Sequence, residues 1–102
     1  MSERRQAERL LCNVDCEILT TAFDMYQGVI KNISKLGMGI YIPYDISNNL
    51  TGECIDITVK SFKVKGQVVR HDQTEDLNCF LGIWIDNMTD DDFSDLMFYC
   101  SV

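Results

Sequence analysis

Three arginines open the chain at positions 4, 5 and 9, and Asn32, Ser34 and Gly37 follow about twenty residues on. Arg5 and Arg9 enclose Gln6-Ala7-Glu8, an RxxxR spacing directly preceded by Arg4. A guanidinium is a planar fork that engages phosphate oxygens two at a time, and the O6/N7 edge of guanine equally well. Asn32 offers an amide, Ser34 a hydroxyl, and Gly37 a backbone position that turns freely without a Cβ. Such groups clasp a compact anion rather than break bonds. Taken singly, each half is ordinary, because a basic leading segment is commonly a solvated tail and turns use Asn, Ser and Gly constantly.

The 102 residues suffice for one compact domain, and a hydrophobic content of 46% supplies a core. No apolar run approaches the roughly 18 residues that span a bilayer, and no apolar leader follows the charged start. A cytoplasmic protein without membrane insertion is expected. The formal net charge is −7, which argues against binding polymeric nucleic acid. Residues 1–9 hold three arginines and two glutamates, so the remainder carries six basic and fourteen acidic residues, a balance of −8. The body is acidic and the leading arm carries the forks. Cys12, Cys16, Cys54, Cys79 and Cys100 form an odd set with no CxxC pair and one histidine, His71, beside them. Reduced core thiols are expected, without metal or other cofactor. Nothing resembles a catalytic triad or a paired-carboxylate centre, so no enzyme is expected.

Alternation of period two dominates the chain. In CNVDCEI, Cys12, Val14, Cys16 and Ile18 share a face opposite Asn13, Asp15 and Glu17. MYQGVIKNI, the stretch from Gly39 to Pro43, ECIDITVK, FKVKGQVVR and CFLGIWI continue the pattern. HDQTEDLN reads as a polar connection, with His71 a turn residue. After Thr89, a candidate N-cap, come three aspartates in a first helical turn. Phe93, Leu96, Met97 and Cys100 then recur with helical spacing. One-sided strands without crossover helices must pair antiparallel, and closing them removes exposed edges. The expectation is an all-β fold with small α content. It comprises a flexible arginine arm over 1–9, a six-stranded antiparallel β-barrel over 10–86, and a short C-terminal helix over 89–101.

In this order and spacing, Arg5-x-x-x-Arg9 followed by Asn32-x-Ser34-x-x-Gly37 resembles the signature of PilZ domains, bacterial receptors for the second messenger cyclic di-GMP. GQVVR, the polar loop and FLGIWI look like that family's later strands, and the resemblance covers essentially the whole chain. It implies cyclic di-GMP as ligand, contacted by Arg5, Arg9, Asn32, Ser34 and Gly37. Arg4 is a further candidate, because in the family the residue there is associated with holding one ligand or an intercalated pair. It also implies a receptor or adaptor that signals through an unidentified protein partner controlling motility, secretion or exopolysaccharide. The alternative is a ligand-independent interaction module of the same fold.

Ordering five arm residues costs roughly 1–2 kcal/mol each, and charged hydrogen bonds return about 1.5–3 kcal/mol apiece. Four or more such bonds are needed, which predicts an affinity on the order of micromolar. Arg70 reads either as a third phosphate contact or as an exposed charge at a strand end. Trp84, alternating with Ile83 and Ile85, is expected as a packed barrel residue rather than a stacking platform. The aspartates at 90–92 lack the glycine and terminal glutamate of a calcium loop, so they read as helix initiation.

Overall fold

Six strands follow from the alternation: β1 (Leu10–Thr20), β2 (Met25–Ile33), β3 (Gly37–Ile42), β4 (Cys54–Val59), β5 (Phe62–Gln73) and β6 (Cys79–Ile85). One helix, α1 (Asp90–Cys100), comes last. The computed structural model describes residues 9–74, 76–85 and 88–100. Every strand pairs antiparallel with its neighbours, and the order β1-β2-β3-β6-β5-β4 closes through β4 and β1 into a barrel. The inward set is rich in β-branched side chains, which fit a pleated wall. Ile18, Ile30, Ile40, Ile42 and Ile57 are wholly buried, each worth roughly 1.5–3 kcal/mol of apolar transfer.

The two barrel ends are covered differently. At one end the connection over 43–53 tucks Ile46 and Leu50 into the core, and the Leu50 amide donates to His71 Nδ1 at 2.9 Å. His71 is therefore a strand residue with a structural partner, not a turn residue, because β5 runs on to Gln73. At the other end sits α1. Its Leu96 and Cys100 are buried while Phe93 and Met97 are half-buried, as the helical spacing predicts. Thr89 caps it, its Oγ1 accepting from the Asp92 amide at 3.0 Å. Lys60 Nζ stands 5.5 Å from the Tyr99 ring centroid, tying the helix to the β4–β5 turn. Among the described residues no helix is long and apolar enough to cross a membrane.

Of the five thiols, Cys16, Cys79 and Cys100 are buried and Cys12 is half-buried, all without disulfides. Cys54 differs from the core assignment. It takes the outward parity of β4 and is exposed.

Candidate ligand-binding site

Three register shifts fall in one band around the barrel: between Leu11 and Val14 in β1, Ile30 and Asn32 in β2, and Val68 and Arg70 in β5. In β2 and β5 the extra residue reverses the parity of the strand beyond it, which re-aims side chains, whereas β1 keeps its alternation through the shift. In β2 the shift turns Asn32 outward and returns Ile33 to the core, where it is fully buried. In β5 it turns Arg70 outward and sends His71 in. The outcome is a row across four strands, Asn32↔Gly39↔Gly82↔Arg70, with two glycines between an amide and a guanidinium.

Arg9, immediately before β1, enters this row from the β1 side. Its Nη1 donates to Asn32 Oδ1. At the far end Arg70 Nε donates to Asp72 Oδ2 at 2.8 Å, on the exposed surface. Arg70 is thus well inside β5, not at a strand end.

The β2–β3 turn is built from its own motif residues. The Ser34 amide donates to the Gly37 carbonyl at 2.8 Å, and its hydroxyl accepts from the Leu36 amide at 3.3 Å. Ser34 is only 5% exposed, so its hydroxyl serves the turn. Gly37 has a second reason to be glycine: a Cβ there would lie 2.3 Å from the Ile83 carbonyl oxygen. Two contacts carry the turn outward from the site. The Ile85 amide donates to the Leu36 carbonyl at 2.9 Å, and Lys35 pairs with Asp90 at the start of α1. The hydrogen bond from Lys35, reinforced by its charge, holds the Asp90 carboxyl below the ordinary range.

Of the residues singled out from the sequence, Arg9, Asn32, Ser34 and Gly37 gather at one end of β2 and β3, and Arg70 closes the same row. Arg4 and Arg5 lie outside the described residues. Trp84 departs from its expected packing, because on β6 it shares the outward parity of Gly82 and is 46% exposed. Gly39 and Gly82 lie outside the two sequence motifs, although a glycine inside a strand is itself a signal of close approach. A Cβ at Gly39 would meet Asn32 Nδ2 at 2.7 Å and Phe80 Cζ at 2.8 Å, whereas at Gly82 the nearest atom is Arg70 Cβ at 3.2 Å.

Residues 3–101 match the PilZ domain. The chain belongs to the PilZ domain family. Among solved structures this PilZ domain is similar to the inhibitor of motility MotI/DgrA of Bacillus subtilis, with TM-score 0.74 and 17% identity over 98% of this chain and 51% of that one. It is also similar to YcgR of Escherichia coli in complex with c-di-GMP, with TM-score 0.70 and 14% identity over 94% and 44%. The isolated PilZ domain of YcgR with c-di-GMP gives 0.68 and 14% over 93% and 87%. The likeness at these identities is one of fold, and the chain spans about half the length of the first two. A search of curated proteins returns no match.

Proposed function

We propose that this PilZ domain is a cyclic di-GMP receptor, binding the dinucleotide on the outer wall between Arg9–Asn32 and Arg70. The observation that carries the reading is the Arg9–Asn32 contact, which joins the two motifs on the glycine row. A guanidinium beside a Cβ-free stretch of backbone suits a flat ligand bearing phosphates and guanine edges. Arg5 and Arg4, preceding β1, close over the bound ligand. Ser34 and Gly37 hold the turn that presents Asn32. The protein binds its ligand without transforming it. Its output passes to a protein partner in a bacterial cytosol, through the surface that the closed arginines create or cover.

The domains of MotI and YcgR support this reading at the level of fold, and two of those structures carry c-di-GMP. The test is thermal denaturation with cyclic di-GMP. At a hundredfold excess over the dissociation constant, about 2.7 kcal/mol of stabilisation is expected. An unchanged melting curve at millimolar ligand would reject it.

A further inference from the structure

We propose that Trp84 is the base-stacking surface of this site, the side chain against which one guanine of the bound dinucleotide lies. The inference rests on the receptor reading above and adds to it the group that recognises the base.

Trp84 points outward from β6, opposite Gly37 on β3 and Gln67 on β5. Its cross-strand partner on β3, Gly37, has no side chain to lay over the indole. Two residues back along the same face is Gly82, roughly 6–7 Å away by strand rise. There the Asn32-to-Arg70 row has its most open position. The ring therefore borders the opening at Gly82, at about the separation between a phosphate and the base of the same nucleotide. The opposite border is already taken. The Phe80 ring tip lies over Gly39, 2.8 Å from where a Cβ would stand, so the open flank is that of Trp84.

Leaving an indole 46% exposed on a barrel wall forgoes apolar burial that a packed position would give. A purine face laid on that indole recovers it, and stacking tolerates the planar, polar-edged base while the arginines hold phosphates and edges. The other flank of Trp84 lines a groove of about 520 Å³ with Leu19, Phe23 and Gln67. Use of the indole there by a docked protein is the competing outcome.

Trp84 is the sole tryptophan of the chain, so its fluorescence reports this position alone. Titrating the wild-type protein with cyclic di-GMP is expected to quench and shift the emission, with the midpoint that calorimetry gives. Trp84→Ala is expected to weaken binding between about fivefold and roughly a hundredfold, the range from about 1–3 kcal/mol per stacked base. Trp84→Phe is expected to restore most of the affinity. Emission that stays unmoved while calorimetry shows saturation overturns the proposal and leaves the receptor reading standing. Wild-type affinity in Trp84→Ala does the same and assigns the indole to the groove. No heat of binding in the wild-type protein overturns both.

Discussion

Arg9 and Asn32, 23 residues apart in sequence, are joined by a hydrogen bond from guanidinium to side-chain carbonyl. The last residue of one motif touches the first residue of the other, so one anion can meet both. Arg9→Ala is expected to weaken cyclic di-GMP binding at least tenfold, about 1.4 kcal/mol or more, in calorimetry. The melting temperature should barely move, because an exposed polar pair contributes little to folding. Arg5→Ala carries the same expectation. Undiminished affinity in either variant rejects the clamp.

Gly37 and Gly82 separate stability from recognition. A methyl at Gly37 would drive into the Ile83 carbonyl at 2.3 Å, so Gly37→Ala must part β3 from β6. A loss of about 1–3 kcal/mol in urea denaturation is expected, the usual cost of overpacking. At Gly82 the nearest atom stands 3.2 Å away and small shifts suffice. Gly82→Ala should fold nearly as the parent does and yet bind the dinucleotide several-fold more weakly.

Lys35 and Asp90 give the β2–β3 turn a charge-dependent hold on α1. The Asp90 carboxyl is held below its ordinary value of 3.8, chiefly by the hydrogen bond from Lys35. A depressed carboxyl stabilises the fold above its unfolded value and loses that contribution as pH falls through the folded one. Relative to the intrinsic rate at each pH, hydrogen exchange of the first-turn amides of α1 should therefore quicken on acidification below about pH 4, within what remains folded. Asp90→Asn should quicken it at neutral pH and flatten the dependence. An unchanged profile in that variant would show the contact to be idle.

The buried thiols act at the opposite extreme of pH. Burial, and secondarily Asp15, pushes Cys16 up from 9.0 to about 12. Burial and the neighbouring Cys12 raise Cys100 to about 12 as well. Between these values the unfolded chain has released protons that the folded chain retains, so stability falls as pH rises from about 9 to about 12. Cys16→Ala should soften the alkaline limb of a pH–melting profile, at some cost at neutral pH from the cavity it leaves. A limb as steep as the parent's would assign the decline to other groups.

Alternation and helical spacing are enough to read six antiparallel strands, their closure and the terminal helix, because each element buries one face and its apolar residues mark that face. The motif residues Arg9, Asn32, Ser34 and Gly37 are legible by type and spacing. The outward turn of Asn32 is not. By simple parity Asn32 follows Ile30 inward, and only the extra residue in β2 reverses it. The same reversal in β5 aims Arg70 outward and His71 inward, which a reader of VVRHDQ has no local cue to expect. Trp84 misleads because its isoleucine neighbours suggest a two-sided buried strand. Packing settles the matter, with Ile83 and Ile85 filling the core and the indole left to solvent.

Closure of the wall through β1 and β4 also bears on how a receptor of this shape would pass on a signal. Where β1 and β4 pair, over Glu17–Thr20 and Ile55–Thr58, the ladder leaves no edge for a strand of another protein, the main-chain mode many peptide-binding sheets use. On the proposed reading, recognition by a downstream protein is then written chiefly in side chains on the curved exterior. Single surface substitutions should be able to silence the output while leaving ligand capture intact.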